Sequence, residues 1–272
     1  MDGKTLGATG RTHLIGVMAD PVAQARAIDV GNALLHARGQ SAEFMIVPLQ
    51  VDEHGLGVVM SAMRSIKNLA GTMVSMPNKQ RILPLLDECS AEAELFGAVN
   101  VVRRTAEGRL EGHMLDGEGF VSGLVRAGYP VRDRTCVLAG AGGAASAIAF
   151  ALARHGCRTL TIVNRTAARA QDVAARVRKH YPQADIRVGD IGAAPIDVAI
   201  NGTSLGMRPD DALPLDAAVV ARCGVVAECV IAPEMTRLLQ LAQQHGCKVH
   251  KGIHMLQAQI DELLAFMGIA AP

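Results

Sequence analysis

Residues 137–146 read Val137-Leu138-Ala139-Gly140-Ala141-Gly142-Gly143-Ala144-Ala145-Ser146, and a second apolar run, 159–163, is followed by Asn164-Arg165-Thr166. The first stretch predicts a short strand, a tight turn and an alanine-rich helix. Gly140 permits the turn, Gly142 lets the backbone approach a pyrophosphate, and Ala145 keeps helix and strand close. The first N–H groups of the helix then face the phosphates. The second stretch selects the form of the dinucleotide. An Asp or Glu at the end of the second strand would hold a ribose 2′-hydroxyl. Here the strand ends in Asn164 and Arg165, with Arg169 one turn on, and cations suit a 2′-phosphate. The expected cofactor is NADP.

Around this core the chain is 272 residues long, half hydrophobic, with 27 basic and 26 acidic side chains and a net charge of +1. That length accommodates two domains, each with its own core. The near-zero charge offers no electrostatic argument for nucleic acid or an acidic membrane. Six cysteines (Cys89, Cys136, Cys157, Cys223, Cys229, Cys247) are scattered without a CxxC pair and read as reduced core residues. The start, Met1 to Thr12, has no apolar signal core, and no stretch approaches the length of a membrane span. A cytoplasmic protein is expected, as a monomer or homodimer. Nine histidines show no metal-ligand spacing, so no metal is expected. His113 reads as a strand-end surface residue.

Apolar strand-like runs alternate with helical ones almost throughout, which predicts an α/β chain with parallel sheets. Early strands are expected at 14–18, 43–47, 70–75 and 98–102, with helices at 24–38, 56–67 and 79–87. The texture changes near Asp116. A helix at 120–127 is then followed by strands at 135–139, 159–163, 197–201, 225–229 and 248–250. A helix at 236–245 lies among them, and a last one covers 253–267. The expected division is a substrate-binding catalytic domain at 1–116, completed by a C-terminal helix at 251–272, and a Rossmann domain at 117–250. An interdomain cleft is expected between them. Ligands of open α/β sheets lie beyond the carboxyl ends of the strands.

Lys79, Asn100 and Asp116 fall at such ends. Singly they read as a solvated lysine, a turn residue and a helix N-cap. Together they offer a mechanism: an ammonium and a carboxylate flanking a hydroxyl can pass its proton while hydride leaves the same carbon for a nicotinamide. Along the chain, Pro77-Asn78-Lys79, Gly97-Ala98-Val99-Asn100 and Asp116-Gly117-Glu118-Gly119-Phe120 come first. The glycine loop, Asn164-Arg165-Thr166 with Arg169 and Ala170, Asn201-Gly202-Thr203-Ser204-Leu205-Gly206-Met207, and Gly252 with Met255, Leu256 and Gln259 follow. In that order they resemble the shikimate dehydrogenase family over nearly the whole chain.

The resemblance implies an NADP(H)-dependent oxidoreductase of the shikimate pathway of aromatic amino acid biosynthesis, acting on a small hydroxy-acid. It implies Lys79 and Asp116 as the catalytic pair and Ser75, Asn100 and Gln259 as substrate contacts. Gly140, Ala141, Gly142, Gly143 and Ala144 are implied at the pyrophosphate, and Asn164, Arg165, Thr166 and Arg169 at the 2′-phosphate. Thr203, Ser204, Met207 and Val230 are implied beside the nicotinamide, with Gly252 on the return toward the substrate.

The departures bear on the substrate. A Ser-x-Ser pair that holds the substrate carboxylate in the family is Ala25 and Ala27 here. Two family asparagines are Met73 and Met114, a threonine is Leu115, and a tyrosine near the nicotinamide is Ile231. A hydrogen bond to a charged group contributes about 1.5–3 kcal/mol. Losing two would weaken shikimate binding by roughly two to four orders of magnitude. Gln24 and Arg26 are the candidates to replace them, Arg by clamping a carboxylate bidentately. Quinate or aminoshikimate dehydrogenation, a less polar substrate, and a weakly catalytic NADP(H)-binding sensor are the rival readings. The retained Lys79 and Asp116 argue against the sensor.

Overall fold

The computed structural model describes residues 7–271, so residues 1–6 of the opening segment lie outside the described residues. The chain forms two compact units. One is made of residues up to Leu115 together with those from Ile260 onward, and the other spans Asp116–Gln259.

The first unit carries β1 (His13–Ala19), α1 (Ala27–Ala37), β2 (Phe44–Gln50), α2 (Leu56–Met63), β3 (Leu69–Val74), β4 (Glu88–Cys89), α3 (Ala91–Phe96), β5 (Val101–Arg104) and β6 (Leu110–His113). Its sheet has the order β2-β1-β3-β5-β6-β4. Ile15, Met18, Leu35, Met60 and Met63 are fully buried in it. Pro48 is tolerated because β2 is an edge strand, where a missing N–H breaks no ladder. The parallel expectation holds for β1, β2 and β3 and for the pair β4 and β6, and fails only at β5. β5 runs antiparallel to both β3 and β6. The turn at 105–109 is too short for the crossover a parallel pair needs. The helix expected at 79–87 is also absent. That stretch is a run of turns ending in one 3-10 turn, Leu83–Leu85. Pro84 has no N–H to donate, and in a continuous helix its ring would clash with the carbonyl four residues back, so the chain makes only one short turn and is extended again at Leu86. His113 is half-buried, hydrogen-bonded to Ser90 through Nδ1 (2.5 Å) and set against the Phe266 ring, rather than at the surface. Burial lowers its pKa.

The second unit continues with α4 (Asp116–Arg126), β7 (Thr135–Ala139), α5 (Gly143–Arg154), β8 (Thr159–Val163), α6 (Ala167–His180), β9 (Asp185–Val188), β10 (Ile196–Asn201), α7 (Ala217–Val220), β11 (Cys223–Glu228), α8 (Arg237–Gln244), β12 (Lys248–His250) and the start of α9 (Ile253–Phe266), whose residues from Ile260 belong to the first unit. All five pairings of its sheet are parallel, in the order β12-β11-β10-β7-β8-β9. A parallel sheet is covered on both faces, so its strands read as unbroken apolar runs. Val137, Ala199 and Val226 pack on Leu238, Leu239 and Ala242 to form one side of this core. The strand order reverses between β7 and β10. Their carboxyl ends therefore flank the crevice where this architecture takes a ligand. No helix of the described residues is long and apolar enough to cross a membrane.

Candidate active site

The turn after β7 is built as the sequence demands. Gly140 has φ +117°, and a Cβ there would lie 2.9 Å from the Gly202 carbonyl. Ala145 is buried, and a Cβ on Gly202 would meet its methyl at 2.9 Å, so only small residues let α5 close on β10. Gly142 is different. It is exposed at the head of α5, with no protein atom within 4 Å of where a Cβ would sit. Packing therefore does not require glycine there. A side chain would instead fill the space before the uncapped N–H groups of α5, where a pyrophosphate fits. Ala141 is buried, and Gly143 and Ala144 are half-buried behind it.

At the end of β8, Asn164 donates to the Thr166 carbonyl at 2.9 Å and fixes the bend into α6. Arg165, Thr166 and Arg169 are exposed on that bend and the first turn. Thr166 takes the N-cap position without a side-chain capping bond. Further along α6, Arg176 pairs with Asp172, and Arg178 donates to the Ile186 carbonyl. This basic residue set thus divides into an end engaged with the protein and an exposed end at the head of α6.

On the other side of β7, Asn201 closes β10 and organises the loop after it. Its Nδ2 donates to the Leu205 carbonyl and to Glu228 Oε2, both at 2.8 Å. Its Oδ1 accepts from Thr203 N and Thr203 Oγ1, at 3.0 and 2.7 Å. Thr203 Oγ1 in turn accepts from Leu205 N. Ser204 is exposed and Met207 half-buried on this loop, and Asp211 accepts from Gly206 N at its far end. Glu228, fully buried at the end of β11, also accepts from Thr236 Oγ1 (2.7 Å) and Val230 N (3.3 Å). Burial pushes its carboxyl up to about 7 against the pull of these donors. Gly252 lies against Val230, whose carbonyl a Cβ would strike at 2.3 Å.

Asp116 opens α4, is buried, and accepts at Oδ1 from Gln259 Nε2 of α9, at 3.2 Å. Gly119 allows this, because a Cβ there would lie 2.8 Å from the Gln259 Cβ.

In the first unit, the turn holding Lys79 is anchored from three sides. Asn78 is fully buried and donates to the Val51 carbonyl at 2.7 Å. Its own N–H bonds the Ser75 carbonyl, and the Lys79 carbonyl accepts from Val99 N. Asn100, next to Val99, is buried and accepts from Leu115 N at 2.9 Å. The strand carrying Asn100 and the turn carrying Lys79 are thus stitched together. Ser75 is half-buried and bonded through its N–H to the Met18 carbonyl. Gln24 is half-buried, whereas Arg26 is exposed and paired with Asp29 at 3.1 Å. Met73 and Met114 are both buried.

Known proteins match over the same stretches. Residues 17–102 match the family model described as the shikimate dehydrogenase substrate binding domain, and residues 125–205 match that of shikimate / quinate 5-dehydrogenase. A shikimate dehydrogenase (NADP(+)) of Alkaliphilus oremlandii is 34% identical over 92% of this chain and 90% of its own length. The chain belongs to the shikimate dehydrogenase family. Its fold matches a shikimate 5-dehydrogenase from Listeria monocytogenes solved with shikimate and NAD, at 30% identity and TM-score 0.81. That match covers 96% of this chain and 93% of the other. It also matches the ligand-free 5-ketofructose reductase of a Gluconobacter strain, at 31% identity and TM-score 0.80, over 97% and 96%.

Within the family framework, the sequence motifs locate the glycine turn, the bend after β8 and the loop after β10. They pass over Glu228 and Thr236. Neither lies in a recognised motif, and the only signal was an acidic residue closing an otherwise apolar run at 225–229. Asn78 was passed over likewise, as the middle residue of the Pro-x-Lys turn.

Proposed function

We propose that this chain is an NADP(H)-dependent oxidoreductase that interconverts a secondary alcohol and a ketone on a polyhydroxylated substrate. Gly140, Gly142 and the head of α5 would hold the pyrophosphate, and Asn164, Arg165, Thr166 and Arg169 the 2′-phosphate. When bound, the nicotinamide supplies hydride acceptance or donation. Lys79 Nζ takes the hydroxyl proton during oxidation and returns it during reduction, while Asp116 orients the hydroxyl and balances the lysine's charge. The observation that carries this reading is Asp116, a buried carboxylate held by Gln259 at the head of a helix. Holding a buried carboxylate in a fixed orientation is costly, and a proton-transfer site uses it. Lys79→Ala is expected to lower kcat by about 10²–10⁴-fold with NADPH affinity unchanged. Turnover within a few-fold of the unaltered enzyme refutes the assignment.

The carboxylate-holding end of the substrate site is altered, with Ala25 and Ala27 at the family's serine positions. In a first reading the substrate is shikimate, quinate or a related hydroxy-acid, and Gln24 or Arg26 takes over the acid. In a second reading the substrate carries no carboxylate. Two observations favour the second: Arg26 is engaged with Asp29 at the surface, and the chain is as similar to a 5-ketofructose reductase as to a shikimate 5-dehydrogenase.

A further inference from the structure

We propose that Glu228 is a positioning residue for the nicotinamide half of the cofactor crevice, acting through Asn201 on the loop at 201–207. The assignment rests on the reading that the second unit binds NADP(H).

Sheet order supplies the geography. The 2′-phosphate bend follows β8 on one flank of β7, and the loop after β10 lies on the other. A dinucleotide whose pyrophosphate sits at the β7 turn extends across the switch point toward that loop. Asn201 and Glu228 are register partners at the ends of β10 and β11. The Asn201 amide makes four hydrogen bonds, the full capacity of that group. A flip of the amide would set its oxygen against the Leu205 carbonyl and its NH2 against the Thr203 N–H, and would break the bond to Glu228. Glu228, with the Leu205 carbonyl and the Thr203 N–H, holds Asn201 in this orientation, and Asn201 in turn ties Thr203 and Leu205 to the end of β11. The other carboxylate oxygen accepts from Thr236, whose hydroxyl also caps α8 by accepting from Leu239 N at 3.2 Å. Val230 N completes the set. One buried carboxylate thus ties the loop, the Val230 segment and a helix terminus into one block. Without it, the Asn201 and Val230 N–H groups would lose a partner inside the protein, a condition buried donors avoid.

The test uses the whole enzyme and two probes: NADPH, and adenosine 2′,5′-bisphosphate, which lacks the nicotinamide half. Glu228→Leu is expected to bind the bisphosphate within about two-fold of the unaltered protein. It should bind NADPH roughly tenfold or more weakly, with kcat lowered as well. Glu228→Gln keeps an acceptor for Asn201 and is expected to bring NADPH affinity back to within about three-fold. Equal loss of both probes in the leucine variant, or loss of neither, overturns the assignment. Should that variant not fold, Asn201→Ala cuts the same link from the loop side. It is expected to show the same split between probes, and equal effects on both overturn the assignment there too. An unaltered protein that binds neither probe overturns the functional reading itself.

Discussion

At the scale of single residues, the chemistry turns on how charge is stabilised in two places. Glu228 is wholly buried, and burial raises its pKa from an ordinary 4.5 to about 7. The folded protein therefore holds this proton over a pH range in which the unfolded chain has released it. Stability contributed by the protonated acid is fully present below about pH 4.5 and is lost as pH rises through 7, on the order of 3 kcal/mol in all. Glu228→Gln cannot titrate. Urea unfolding of both proteins at pH 5 and pH 8 is expected to show the glutamine variant gaining stability relative to the parent at the higher pH. An unchanged difference between the two pH values refutes the buried titration. Arg165 is the opposite case, an exposed cation with no protein role in view. Arg165→Ala is expected to weaken NADPH roughly 10- to 100-fold while leaving NADH nearly unchanged, since only the former carries the 2′-phosphate. Equal weakening, read by fluorescence titration, would remove the arginine from that site.

At the scale of elements, positions that read from sequence as motif residues act through helix packing. Gly119 lets α4 and α9 approach until Gln259 reaches Asp116. Gly119→Ala would force its methyl into the Gln259 Cβ. Overpacking of this kind costs about 1–3 kcal/mol. The expected result is a lower urea midpoint together with reduced kcat, because Asp116 loses its orienting partner. A variant with the parent's midpoint and full turnover would show that the two helices part freely. This also marks what could be read from the chain alone. The strand–turn–helix at Gly140, the bend at Asn164 and the last helix follow from local periodicity and glycine placement, which act within a few residues. The antiparallel β5 and β6 and the lost helix at 79–87 depend on loop length and on Pro84. Those signals were present, but alternating apolar texture outweighed them. The Glu228 network joins residues 27 positions apart, from Asn201 to Glu228. It forms only once β10 and β11 lie side by side, so no local pattern announces it.

At the scale of the whole molecule, the net charge of +1 sets the terms on which substrates are chosen. A protein this close to neutrality exerts little long-range pull on an anion, so selection falls to groups within the site. On the neutral-substrate reading proposed above, the methyls at 25 and 27 and the pairing of Arg26 with Asp29 leave the acid end of a substrate without its family partners. A panel of ketones reduced with NADPH should therefore favour a neutral polyhydroxy ketone over a ring keto-acid in kcat/KM. Steering being weak, neither value should depend strongly on salt. The double change Ala25→Ser with Ala27→Ser is expected to reverse the order, raising kcat/KM for the acid by as much as the roughly 10²-fold that two weak charged hydrogen bonds supply. If the unaltered chain already prefers the acid, and Arg26→Ala abolishes that preference, then the arginine leaves Asp29 to clamp the substrate. The hydroxy-acid reading would then replace the neutral one.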